Sequence, residues 1–130
     1  EDILASVKDA SVYSRVFSIN LCNVQKGTLV EYLWERGEYR PPWLWSIVEI
    51  LKRTKKEFPD FIITSDPVAA GAKRGPRNCN KCSRQVADAI KTFSLSQDLN
   101  DLEGLQCDCR HLWEKVLQLD DLTFGSPILE

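Results

Sequence analysis

The sequence predicts a small α+β domain. Three observations carry that reading: an apolar face at helical spacing after Arg40-Pro41-Pro42, a short β-branched run at residues 60–64, and two close cysteine pairs, each just ahead of a helical pattern. The expected order is an N-terminal hairpin or strands, a central helix and strand, and two C-terminal helices tied at the cysteines.

Residues 1–9 suit a short helix. Residues 14–23 alternate in part, with Phe17, Ile19 and Leu21 on one side and Ser18 and Asn20 on the other, which is the strand period. Gln25-Lys26-Gly27 reads as a turn, and residues 28–34 are rich in β-formers (Thr28, Val30, Tyr32, Trp34), so the two segments are expected to form a hairpin. The rival is a pair of helices, because Val12, Val16 and Ile19 also fit a helical stripe.

Arg40-Pro41-Pro42 is a break, since proline suits an extended stretch or a first helical turn and not a helix interior. Residues 43–57 then predict a helix with Trp43, Ile47, Ile50 and Leu51 on one face, and with Lys52, Arg53, Lys55 and Lys56 toward the C-terminal end, where cations suit the helix dipole. Pro59 ends it, and Asp60-Phe61-Ile62-Ile63-Thr64 reads as a buried strand. Residues 68–78 form a basic loop of small residues, glycines and cations. Residues 83–93 predict a helix with Val86, Ile90 and Phe93 inward. Residues 96–104 are polar and turn-prone. Residues 110–119 predict a last helix carrying Leu112, Trp113, Val116 and Leu119, and residues 122–130 read as an irregular tail.

The 130 residues are expected to form one domain, with a front half over residues 1–67, the basic loop over residues 68–78, a cysteine-bearing helical region over residues 79–121 and the tail over residues 122–130. A chain of this length buries roughly two-thirds of its unfolded surface, enough for a real core. At 43% hydrophobic and 28% charged residues the composition is that of a folded globular protein, not a disordered one. No apolar run approaches the ~20 residues that span a bilayer. The acidic start Glu1-Asp2 is unlike a signal peptide, and the absence of any Met reads as a fragment or processed form of a longer protein. A net charge of −2 supplies no global attraction for nucleic acid or acidic membranes.

Cys79-Asn-Lys-Cys82 is followed, after 24 intervening residues, by Cys107-Asp-Cys109, with His111, the one histidine, two places on. Paired thiols on two tight turns are how a chain builds a tetrahedral zinc site. The helix N-terminus beside each pair carries partial positive charge, which favours the metal-binding thiolate. Cys79, Cys82, Cys107 and Cys109 are therefore the expected ligands of a structural Zn²⁺, with His111 as a substitute for either member of the second pair. The alternatives are disulfides joining the two pairs, unlinked thiols, or iron, which thiolate sites also accept. A catalytic zinc would keep an open position and call for histidine or carboxylate ligands; no H-x-E or H-E-x-x-H pattern is present. An odd count of five cysteines suits a reduced compartment, cytoplasm or nucleus, with Cys22 in the core.

Lys73, Arg74, Arg77, Lys81, Arg84 and Arg110 crowd around the cysteine pairs. Lys73, Arg74, Arg77, Lys81 and Arg84 are candidate contacts to nucleic-acid phosphates; the plainer reading is that the cations offset the charge of four thiolates. Trp45 lies off the Trp43/Ile47 stripe and, with Tyr39 and Arg40, marks a candidate partner-binding patch. Asp98, Asp101 and Glu103 are expected to be solvated surface.

The sequence thus points to a non-catalytic, zinc-stabilised protein-interaction module of a larger intracellular protein. The alternatives are a nucleic-acid-binding domain using residues 73–84, and an enzyme whose active site one sequence does not reveal.

Overall fold

In the computed structural model residues 2–124 are described, with side chains described as far as Leu119. Helix α1 (Asp2–Ala10) precedes strand β1 (Val16–Ser18), and helices α2 (Leu29–Glu35) and α3 (Leu44–Glu57) lead to strand β2 (Ile62–Thr64). After the loop come α4 (Ser83–Ser96), a 3₁₀ turn (Leu99–Leu102) and α5 (Cys109–Phe124). The α+β class predicted from sequence is the observed one.

The front half corrects one expectation. The two strands pair with each other in parallel, Val16 opposite Ile62, Phe17 opposite Ile63 and Ser18 opposite Thr64, and α2 and α3 form the crossover between them. Of residues 28–34, expected as the second strand of a hairpin, Thr28 is an extended cap and the rest are helical. The cause is local. Thr28 caps α2, its hydroxyl accepting from the Glu31 N–H at 3.2 Å, while the Glu31 carboxylate accepts from the Gly27 N–H at 2.8 Å. The Thr28 hydroxyl satisfies an amide that a helix start leaves orphaned, the Glu31 carboxylate ties down the turn just before it, and together they outweigh the β-propensity of Val30, Tyr32 and Trp34. At the other end of the chain, residues 122–124, expected as irregular tail, continue α5; the rest of that expected tail, 125–130, lies outside the described residues.

The core lies between α3, α4 and the inner face of β2. Helix α3 buries Leu44, Trp45, Ile47, Val48 and Leu51, a wider face than the predicted stripe, with Trp43 and Ile50 only half-buried at its margin. Helix α4 adds Val86, Ala87, Ile90 and Phe93; Ile63, Leu102 and Trp113 close the cluster. Each such fully buried large side chain contributes roughly 1.5–3 kcal/mol relative to exposure.

The outer edge of β2 is sealed by the end of α4. The Gln97 side-chain amide accepts from the Ile63 N–H at 2.9 Å and donates to the Ile63 C=O at 2.8 Å, as a neighbouring strand would. One step on, the Ser94 hydroxyl accepts from the Ser65 N–H and donates to the Ser65 C=O, each at 2.9 Å. Gln97 reaches this position from a left-handed backbone conformation (φ 61°), the C-cap of α4.

Candidate metal centre

Both cysteine pairs sit at helix starts. Cys82 is the N-cap of α4, and the Cys79 C=O accepts from the Ser83 N–H at 3.1 Å; Cys109 opens α5, and the Cys107 C=O accepts from the Arg110 N–H at 2.9 Å. A buried asparagine fixes the first turn against the core. The Asn78 side-chain oxygen accepts from the Trp45 N–H at 3.1 Å, supplying a cap to α3 from 33 residues away. The Asn78 N–H donates to the Ser83 hydroxyl at 3.0 Å, and that hydroxyl donates to the Cys79 C=O at 2.8 Å.

The four sulfurs converge. Cys79 Sγ lies 3.6 Å from Cys82 Sγ and 3.6 Å from Cys107 Sγ, and Cys82 Sγ lies 3.5 Å from Cys109 Sγ. All four lie within 4.8 Å of one another. A tetrahedron with metal–sulfur bonds of about 2.3 Å has edges of about 3.8 Å, so the donors fit a single ion with small adjustment. Cys82 is buried and the other three half-buried, and all five cysteines of the chain are unbridged thiols. The four are close enough to hold one metal ion between the starts of α4 and α5.

The electrostatics are uneven. Burial raises the Cys79 thiol, but the main-chain N–H groups of Cys82 and Lys81 and the neighbouring thiols outweigh it and bring Cys79 down to about 7. Burial pushes Cys82 and Cys109 up. For Cys109 that burial is partly opposed by the Trp45 indole, whose N–H donates to the sulfur at 3.3 Å. The Arg110 guanidinium stands 5.5 Å over the same indole ring.

Three expectations are corrected here. His111 does not join the sulfurs: its side chain is 74% exposed and faces Glu114, Nδ1 to Oε2 at 3.6 Å. Trp45 is not part of an exposed patch: it is 2% exposed, the largest fully buried side chain, and spans the core from α3 to Cys109. Its position off the Trp43/Ile47 stripe reflects burial from two sides, by the α4 layer and by the cysteine turns. The other members of that candidate patch are half-buried. Arg40 donates to the Pro41 and Arg77 carbonyls and stacks 3.9 Å over Trp43. Tyr39 is raised to about 12 by burial and by its hydrogen bond with Cys22. Cys22 itself is exposed rather than in the core.

The loop cations are only partly free for a ligand. Arg74 pairs with Glu31 at 2.6 Å and lies 4.6 Å over Trp34; Lys73 lies 5.6 Å over the same ring; Arg77 donates to the Lys73 C=O. Lys81 and Arg84 are exposed beside the first cysteine turn. Sequence reasoning missed Trp45 and Asn78 as supports of the cysteines. Nothing at their positions signals it, because each contact depends on how α3 lies against the cysteine turns.

No protein-family model matches the chain, and no solved structure matches it. Three curated proteins from archaea are similar. One named archaeosine synthase subunit beta, from Methanosarcina acetivorans, is 58% identical over 130 residues, all of this chain and 38% of the relative. A protein of the same name from Thermococcus kodakarensis is 51% identical over 119 residues, 91% of this chain and 37% of the relative. An uncharacterized protein of Methanocaldococcus jannaschii is 32% identical over 126 residues, 85% of this chain and 34% of the relative. The chain therefore spans little more than a third of the length of the curated relatives it matches.

Proposed function

We propose that this chain is the metal-clamped portion of an archaeosine synthase beta subunit, serving it as a non-catalytic protein-interaction module. The observation that carries the reading is the convergence of Cys79, Cys82, Cys107 and Cys109 from two separate turns. Zn²⁺ is the proposed ion, which when bound supplies a closed tetrahedral cross-link and no open position for substrate. The residues around it support a structural role. The Trp45 indole hydrogen-bonds one sulfur, Asn78 ties the first turn to α3, and the lone histidine stays outside. Identity of 58% along the whole chain supports the placement in that subunit, and a protein named a subunit has at least one partner to meet.

The test is metal analysis of the purified chain with mass spectrometry under non-reducing conditions, followed by gel filtration with a further subunit of the Methanosarcina acetivorans synthase. One zinc per chain, no disulfide mass deficit and co-elution are expected. Disulfides or absent metal would remove the clamp, and separate elution would remove the interaction role.

A second reading, nucleic-acid binding, gains one observation that the linear sequence lacks. The fold brings Trp34 against Lys73 and Arg74, so cations and an aromatic face share one surface, as in proteins that stack bases along a charged groove. On this reading, affinity for a single-stranded RNA falls steeply between about 50 and 200 mM salt, and reversing the charge of Lys73, Arg74 and Arg77 abolishes it. Binding indifferent to salt, or absent, would leave those cations as loop fasteners only.

A further inference from the structure

Among the described residues, the two-stranded sheet has one closed edge and one open edge. Parallel sheets are normally covered on both faces, and a two-stranded sheet is a poor unit by itself. Here the Arg15 C=O accepts from the Ile62 N–H at 2.9 Å, and the Ile19 N–H donates to the Thr64 C=O at 2.8 Å. Main-chain groups alternate sides along a strand, so Val16 and Ser18 turn theirs away from β2. The only hydrogen-bonded neighbour of β1 among the described residues is β2. The Val16 N–H and C=O meet just the exposed hydroxyl of Ser14, at 3.1 and 3.0 Å, a local turn that an incoming strand displaces without breaking the fold.

The outer face beside that edge is apolar. Phe17 and Ile63 point to the core, and Ile63 is fully buried. Their sheet neighbours on the opposite face are not covered: Val16 is 60% exposed and Ile62 48%. The contrast with the far edge is informative. Where β2 has no further strand to meet, Gln97 and Ser94 occupy its main-chain groups. Among the described residues, nothing comparable from another element closes β1.

We infer that the outer edge of β1 takes a further strand from the portion of the longer polypeptide that lies outside this chain, continuing the sheet and setting its own side chains beside Val16. This rests on the placement of the chain within a beta subunit. The occupant is an extended segment with apolar residues on alternate positions, paired through the Val16 and Ser18 main chain. More than half of the length of the Methanosarcina acetivorans relative lies outside the match, so such a segment has a source in the same molecule. A covalently linked strand also has a high effective concentration at this edge, which a separate peptide lacks.

The experiment is residue-resolved amide hydrogen exchange on a chimera in which this chain replaces the matching region of the Methanosarcina acetivorans relative. Where the chimera does not fold, the relative itself is read at the positions matching Val16 and Ser18. The Ser18 amide is expected to exchange roughly 100-fold or more slower than an open amide in a monomeric sample, because only opening of the sheet exposes it. A Val16→Asp substitution is expected to lower the melting temperature of the same protein, since it places a charge beside the apolar side chains of the added strand. Fast exchange at Ser18 would overturn the inference while leaving the metal clamp and the subunit interaction untouched. Slow exchange only at concentrations where sedimentation shows a dimer would overturn it too, in favour of a second copy.

Discussion

On the proposed clamp, replacing Cys82 with serine is expected to abolish metal binding and unfold the rear of the molecule, and a strong chelator is expected to do the same to the unaltered chain. Cys82 is 3% exposed and belongs to the core, while Cys79, Cys107 and Cys109 pack against it. Between the 3₁₀ turn and α5 the chain has no regular hydrogen-bonded structure, and the start of α5 is held by its two cysteines, by Trp113 in the core and by the Trp113 indole N–H on the Ser46 hydroxyl at 2.9 Å. A structural zinc contributes an apparent ~10–16 kcal/mol at neutral pH in small domains, which equals or exceeds the net stability of about 5–15 kcal/mol of a typical domain. Circular dichroism melts, read beside metal content, should therefore show loss of the cooperative transition together with loss of the ion. Cys22→Ser serves as the control: that thiol is exposed and outside the cluster, and neither stoichiometry nor melting should change. A Cys82→Ser protein that keeps one ion and its transition would refute the clamp.

The cysteine centre was legible because metal chemistry is local in its demands. Two sulfurs on one turn, two on another and a helix start behind each are visible as spacing. The choice against His111 was not visible, because two residues along α5 from Cys109 the side chain points round the helix, away from the sulfurs and toward Glu114. The predicted helices at 43–57, 83–93 and 110–119 are present with small shifts of boundary, since their apolar positions repeat at the helical period over long enough stretches. The segment 28–34 was misread for a different reason. Alternating Thr28, Val30, Tyr32 and Trp34 imitate a strand, and the decisive signal was the cap Thr28 with Glu31 three places on. The partner of β1 was out of reach as well. A parallel pair needs a crossover, so β1 meets residues 46 positions away rather than the next apolar run. Neither periodicity nor propensity encodes which of several short strands that crossover returns to.

Trp45 shows how one residue links the core to the centre, and two substitutions there should separate its roles. Trp45→Ala removes the largest fully buried side chain and leaves a cavity between α3, α4 and the cysteine turns, so the expected loss is about 3–5 kcal/mol by chemical denaturation. Trp45→Phe keeps most of the apolar volume and removes the indole N–H that Cys109 accepts at 3.3 Å. Its packing cost should be the smaller, and its signature should be in the metal: partners that orient a ligand typically matter about 10–100-fold in affinity. A sulfur without that donor carries its negative charge less well and is more readily protonated, so the ion should leave Trp45→Phe at a higher pH than it leaves the unaltered chain. Titration with a colorimetric chelator across roughly pH 5–8, the window that thiolate protonation sets, reads this directly. Equal retention in the two proteins, with the full stability loss confined to Trp45→Ala, would make Trp45 a packing residue alone and the hydrogen bond to Cys109 incidental.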